Sequence, residues 1–258
     1  MTWGIIPAAG IGSRIQPLAF SKELLPVGSR LEHGVERPRA VSEYLVERMV
    51  LGGATRICFV ISPGKSDIVE YYGGGVDDNV HLVYAVQAEP RGLCDAIFRA
   101  LPFISREESV IVGLPDTIWF PEEALRDVPD DELSFLCFPV DEPWHFDAVV
   151  SGDDGRVKEI QVKCMDAKTH WIWGAFKMPG RMFHELYELW QRPNRRDLYV
   201  GTLVNAWLSE GGCARAFHTG AGYVDVGTLH GYRDAMRLLE GGAREGIPKP
   251  YAAISRRT

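Results

Sequence analysis

Residues 3–28 read WGIIPAAGIGSRIQPLAFSKELLPVG. An apolar run ends in a turn carrying Gly10 and Gly12, and two cations, Arg14 and Lys22, follow eight residues apart. The run predicts a first strand over residues 3–8. Glycines directly after it predict a backbone whose N–H groups can wrap around an anion where side chains would block the approach. Arg14 can grip phosphate oxygens with a planar fork, and Lys22 adds a mobile point charge. The stretch therefore points to a chain of phosphates held at the mouth of the first strand.

Two familiar phosphate motifs fail against these letters. The dinucleotide fingerprint needs a third glycine where Ile15 stands. The Walker A loop is matched only by Gly64-Lys65-Ser66, with Phe59 at the position of its first glycine, so those residues read as an ordinary turn after a strand.

Outward from that start, apolar runs alternate with helical patterns. A helix is predicted over residues 41–52, a doubly buried strand over 57–61 and a short helix over 66–72. A strand over 81–86, a helix over 93–101 and a buried strand over 109–114 follow. This alternation predicts a parallel sheet covered by helices. Beyond residue 130 the texture becomes antiparallel, with strands over 133–140, 147–150, 157–162 and 171–176 and a tight turn at Asp153-Asp154-Gly155. Helices return over 180–191, 201–210 and 228–240. Residues 29–40 and the 241–258 tail are polar and read as loops. The expected fold is α/β and Rossmann-like: a mixed, mostly parallel sheet flanked by helices, with an antiparallel excursion in the second half.

Composition narrows the function classes. The 258 residues carry a net charge of −7, which disfavours a nucleic-acid partner and makes any phosphate site a local cluster of cations. No apolar run approaches the length of a membrane span, and no leader pattern opens the chain, so a cytoplasmic location is expected. The five cysteines are scattered without metal spacing and read as buried, reduced thiols.

The opening stretch resembles the signature of the sugar-1-phosphate nucleotidyltransferases. Pro7-Ala8-Ala9-Gly10 is similar to its uridylyltransferase form, and Ser21-Lys22-Glu23-Leu24-Leu25-Pro26-Val27 to its thymidylyltransferase form. The resemblance implies that Ala8, Ala9, Gly10, Gly12 and Ser13 hold the nucleotide phosphates, while Arg14 and Lys22 act catalytically on the reacting triphosphate. Four later segments agree in order. Gln87-Ala-Glu-Pro-Arg-Gly92 resembles the family's Q-x-x-P-x-G, implying that Gln87 and Gly92 select a uracil or thymine base; read alone, Gln87 is ordinary surface before a helix. Leu114-Pro115-Asp116 stands where the family has G-D, and Tyr223-Val-Asp225-Val-Gly-Thr where it has W-x-D-x-G-T. Asp116 and Asp225 are thereby implied as ligands of Mg²⁺, although the first could cap a turn and the second the helix that follows.

The acceptor segment departs from the pattern. Gln161-Val162-Lys163-Cys164 replaces E-E-K-P, so Lys163 remains for the acceptor phosphate while Val162 stands at a sugar-hydroxyl position. Ala148 stands for a family glycine, and Gly174 matches the glycine of T-G-L-Y. The resemblance implies one domain over residues 1–240, with a nucleotide-binding half to about 130 and a sugar-phosphate-binding half after it. The implied reaction joins a pyrimidine triphosphate, dTTP or UTP, to a sugar 1-phosphate with release of pyrophosphate. An unusual phosphorylated acceptor and an inactive regulatory subunit are the alternatives, and homo-oligomerisation is left open.

Overall fold

Residues 3–6 present no polar side chain to water on either face, and the chain buries them at the centre of a sheet: Ile5 and Ile6 are fully enclosed. The computed structural model describes residues 1–32, 34–77 and 79–242. Of the expected 241–258 tail, residues 241 and 242 complete the last helix and the rest lies outside the described residues.

The first half runs β1 (Thr2–Pro7), β2 (Pro26–Glu32), β3 (Val35–Ala40), α1 (Val41–Leu51), β4 (Arg56–Ile61), α2 (Ser66–Tyr72), β5 (Gly75–Asp77), β6 (Val80–Val86), α3 (Gly92–Phe98), β7 (Ser109–Gly113) and β8 (Thr117–Phe120). The second runs β9 (Leu133–Pro139), β10 (Asp147–Ser151), β11 (Val157–Val162), β12 (Trp171–Pro179), α4 (Gly180–Trp190), α5 (Val200–Ser209), β13 (Ala214–Phe217), β14 (Gly222–Asp225) and α6 (Leu229–Gly242). Among the described residues ten strands share one sheet, ordered β11-β10-β12-β7-β1-β4-β6-β5, with β9 and β13 branching from β12. Strands β7, β1, β4 and β6 are parallel. The antiparallel excursion joins this centre through β12, which pairs with β7 on one side and β9 on the other.

This order fixes where a ligand can sit. From β1 the chain crosses outward to β4 and β6, then returns to lay β7 on the other flank of β1. Such a reversal opens a crevice beyond the carboxyl ends of the strands. Here the crevice lies beyond Pro7 and Gly113, where the glycine turn and Asp116 emerge.

Two expectations need correction. Residues 29–40 belong to the β2–β3 hairpin rather than a loop. Its side chains are mostly exposed, Leu31 and Val35 among them, so no buried face marks it in the sequence. It is tied down by Ser29 to Glu36 at 2.5 Å, by Arg30 to Glu43, and by Arg39, which pairs with Glu47 and lies 3.8 Å from the centre of the Tyr44 ring. Of the cysteines, Cys58, Cys94 and Cys137 are buried, and burial pushes the thiols of Cys58 and Cys137 up to about 12. Cys164 is half-buried and Cys213 exposed.

Candidate functional site

The signature loop is clamped from below by charges the sequence reading left unassigned. Lys65 is buried and donates from Nζ to the Ala8 carbonyl at 2.6 Å and to both Glu23 oxygens at 2.7 Å. Asp67, at the start of α2, accepts from the Ser21 N–H and hydroxyl, each at 2.6 Å. One element thus holds both ends of the loop, through Ala8 and through Ser21–Glu23. Burial pushes the Glu23 carboxyl up and the Lys65 ammonium down, each opposed by the other's charge. Gly64-Lys65-Ser66 is accordingly a turn, as expected, but its lysine is a structural post.

Above the clamp, Lys22 reaches the Asp116 carboxylate at 2.5 Å. Gly12 lies against the Lys22 stem at φ +70°; a Cβ there would meet Lys22 Cδ at 2.6 Å. Glycine is therefore demanded twice at this position, by conformation and by contact.

Asp116 and Asp225 are 109 residues apart in sequence yet meet because β8 and β14 pair antiparallel, with Asp225 opposite Thr117. The Val226 N–H donates to the Asp116 carbonyl at 2.8 Å and closes the junction. Arg14 donates to Asp225 at 3.1 Å, with a guanidinium that is otherwise mostly in solvent. Burial opposes the charge on Asp116, but Lys22 holds its carboxyl below the usual range. Burial and the neighbouring Asp116 push Asp225 the other way, with Arg14 pulling back. Two carboxylates that repel each other, each leaning on a cation, suit a divalent ion that takes few protein oxygens and completes its shell with phosphates and water. Among the described residues no group of three or more His, Cys, Asp or Glu could hold a metal, and the two carboxylates stand as a pair.

Gly227 floors this quartet, an assignment absent from the sequence reading although the residue lies within a quoted motif. A Cβ on it would meet Asp225 Oδ1 at 2.7 Å, Arg14 Nη2 at 3.0 Å and Asp116 Oδ2 at 3.1 Å. Gly227→Ala is expected to lower kcat about tenfold or more by spreading these groups, with Tm nearly unchanged. Steady-state rates and a thermal melt check this, and a wild-type rate would refute it.

The remaining nucleotide-side residues divide. Ala8 is buried, its N–H donating to Val60 and its carbonyl accepting from Lys65, so both backbone groups serve the fold. It anchors the loop. Ala9 is also buried. Gly10 faces open space, with nothing within 4 Å of a Cβ, and Ser13 is exposed. Gln87 is buried, unlike the surface residue it resembles when read alone. Its Nε2 donates to Asp95 at 2.7 Å and to the Gly92 carbonyl at 3.1 Å, which orients the amide. Gly92 takes φ +88°, and a Cβ there would strike the Leu198 backbone at 2.8 Å.

On the acceptor side, a cavity of about 670 Å³ runs from Arg14, Lys22, Asp116 and Asp225 past Gly92 to Asp147, Lys163 and Tyr199. Lys163 is the one non-glycine among the described residues in the left-handed region, at φ +45°. Two expected contacts do not face this space. Val162 packs on Gly201 of α5, and the sheet bulges at Gly174, which lies against Phe138 and Tyr223. Neither lines the cavity. Gly174 instead makes room for Tyr223, which does.

Asp147, unassigned in the sequence reading, lines the cavity instead. Burial pushes its carboxyl up to about 6, against the attraction of the Trp173 indole N–H and of Lys163. That indole N–H is buried and has no partner within hydrogen-bond distance, so it faces the carboxyl without closing a bond. A carboxyl that is raised on folding costs stability as pH climbs from its ordinary value of 3.8 towards 6, where the unfolded chain ionises first. Asp147→Asn is therefore expected to stabilise the protein by about 1–3 kcal/mol above pH 6 and to leave it unchanged below pH 4. Denaturant melts at pH 3.5 and 8 check the sign.

With the geometry in hand, comparison with known proteins is direct. The model of the Nucleotidyl transferase family matches residues 3–241. A glucose-1-phosphate thymidylyltransferase of Neisseria meningitidis is 24% identical over 92% of this chain and 82% of its own length. A Bacillus anthracis structure described as a glucose-1-phosphate thymidylyltransferase in complex with sucrose superposes with a TM-score of 0.78 at 23% identity, covering 92% of this chain and 95% of that one. A UTP-bound UGPase from Acinetobacter baumannii gives 0.76 at 19% identity, covering 94% of each. The family match runs from the first strand to the last helix and takes in every member of the charged quartet, and the chain belongs to the nucleotidyl transferase family of enzymes.

Proposed function

We propose that this protein transfers a pyrimidine nucleotidyl group, from dTTP or UTP, to the phosphate of a sugar 1-phosphate and releases pyrophosphate. The observation that carries this reading is the quartet at the crevice of the sheet, with Arg14, Asp116 and Asp225 gathered around Gly227 and Lys22 paired to Asp116. An oxygen of the acceptor phosphate attacks the α-phosphorus, the bond from that phosphorus to the bridging oxygen breaks, and pyrophosphate leaves with the electron pair. No covalent enzyme intermediate is required, so the work is positioning and charge neutralisation.

Asp116 and Asp225 would hold Mg²⁺, which supplies positive charge to the triphosphate. Arg14, mostly exposed and held by one carboxylate, can turn to the departing phosphates. Lys22 neutralises charge at the transferred group, and Lys163 aims the acceptor phosphate. Backbone strain of the kind Lys163 carries costs about 1–3 kcal/mol and concentrates at working residues. The orientation of Gln87 supports the choice of base. With Nε2 committed to Asp95 and Gly92, its Oε1 is the free group, an acceptor that suits the N3–H of uracil or thymine and opposes the bare N3 of cytosine. The UTP-bound neighbour of similar fold agrees with that preference.

The test is pyrophosphate release with Mg²⁺, crossing dTTP, UTP, CTP, ATP and GTP with a panel of sugar 1-phosphates. Release with dTTP or UTP, at least tenfold above CTP, is expected. Nucleotide that fails to bind at all, by calorimetry with Mg²⁺ present, overturns the reading.

A further inference from the structure

The far end of the cavity has an unusual lining for a sugar. A hexose exposes several hydroxyls, each needing a polar partner once buried. Beyond the phosphate-handling cations, the walls are mainly the rings of Trp144, His145, Phe146, Trp173, Tyr199 and Tyr223, with Asp147 the carboxylate among them. Among the described residues no Asn, Gln, Glu or Ser side chain lines the cavity, and the Thr117 hydroxyl that does is committed to the Leu114 carbonyl at 3.0 Å, which leaves His145 and the tyrosine hydroxyls as the polar groups beside Asp147. Aromatic faces backed by a carboxylate are the surroundings in which ammonium groups are recognised, because the ring quadrupole and the anion attract the same charge. The protein already uses one of these faces in that way: the Lys163 ammonium lies 4.9 Å from the centre of the Tyr199 ring.

The strand register explains how the carboxylate comes to be there. Asp147 on β10 is directly opposite Val162 on β11. Opposite residues of an antiparallel pair project from the same face, and both approach Gly201, where a Cβ would meet Val162 Cγ2 at 2.6 Å and Asp147 Oδ2 at 3.3 Å. Val162 fills the space against α5, and the polar contact passes to its cross-strand neighbour at the cavity wall.

We propose that the acceptor is a phosphomonoester whose far end carries a protonated amine or alkylammonium group, seated between the Asp147 carboxylate and the aromatic wall, with its phosphate on Lys163. This rests on the transfer reaction proposed above and names its acceptor class. An amino sugar 1-phosphate and an aminoalkyl phosphate share this chemistry, and the reaction balances as before, because the cationic end takes no part in bond making.

The experiment measures kcat/KM for pyrophosphate release with matched acceptors, using dTTP, UTP and CTP in turn with Mg²⁺. Glucosamine 1-phosphate is set against glucose 1-phosphate. Choline phosphate is set against its uncharged isostere 3,3-dimethylbutyl phosphate, and aminoethyl phosphate completes the series. At least one cationic acceptor is expected to exceed its neutral counterpart tenfold or more, the preferred pair telling sugar from alkyl source. Asp147→Asn is expected to erase that ratio while retaining nucleotide binding. Equal or better turnover of the neutral member of both pairs overturns the inference and leaves the transfer reaction standing. So does an unchanged ratio in Asp147→Asn. Silence with every acceptor while nucleotide still binds overturns the acceptor class; failure to bind nucleotide removes the reaction on which it rests. The isostere comparison uses the unaltered protein, so it does not depend on how the variant folds.

Discussion

Lys65→Met is expected to be the most damaging single substitution outside the reacting groups. Methionine keeps the length of the side chain but removes its charge and donors. That strands the Glu23 carboxylate, which has no exposed surface, and orphans the Ala8 carbonyl. Breaking a buried pair from one side costs about 3–5 kcal/mol, and for a chain of this size that lowers Tm by about 10 °C. The damage should also reach the chemistry, because Lys22 directly precedes Glu23 and is aimed at Asp116 by the same turn. The double variant Glu23→Gln, Lys65→Met removes both charges and should recover much of the lost stability. If the single variant melts with the unaltered protein, the clamp is not what holds the loop. A double variant no better than the single one would show that the stranded charge is not the cause.

Lys22→Ala should have the largest effect on rate. Removing a preorganised charge that acts on the transferring group lowers kcat by about 10²–10³-fold. The structure adds a second, less obvious expectation. Lys22 occupies Asp116 at 2.5 Å and so competes with any cation for that carboxylate. Burial opposes the charge on Lys22, yet Asp116, Glu23 and Asp225 together hold its ammonium above the ordinary value, so it remains charged. Without it, two carboxylates face each other with Arg14 beside Asp225 and Lys65 as a more distant cation near Asp116. Mg²⁺ affinity of the resting protein should therefore hold or rise while turnover collapses. Calorimetric titration of Mg²⁺ alongside single-turnover kinetics separates the two effects. Weaker metal binding and an intact rate would contradict both assigned roles.

The centre of the fold was legible because β1, β4 and β7 are buried on both faces and so read as unbroken apolar runs. Strand β8 was not, since Thr117–Phe120 follow directly on Asp116 and pair with a segment more than a hundred residues later. That pairing brings the two aspartates together, and no local pattern announces it. The quartet itself was nameable residue by residue through resemblance. Its supports were not, because Lys65 lies in letters that imitate another motif and shows its purpose only when Glu23 is buried beside it. Val162 and Asp147 illustrate the limit most clearly. Val162 stands out in the sequence only as a departure from a motif and Asp147 not at all, and only their register across β10 and β11 makes one the counterpart of the other.

The contact of Gly92 with the Leu198 backbone has a consequence for how such a protein can diversify. The Leu93 N–H donates to the Leu198 carbonyl at 2.8 Å, so the start of α3, beside Gln87, shares a seam of main chain with the segment that presents Tyr199. Shifting that segment to admit a bulkier acceptor would drag the turn proposed to bind the base with it, and any side chain at position 92 would pry the seam open. Inheritance of a new acceptor is thus channelled into exchanges of side chains on a fixed frame, at positions such as 147 and 162, while the backbone between the two substrates stays as it is.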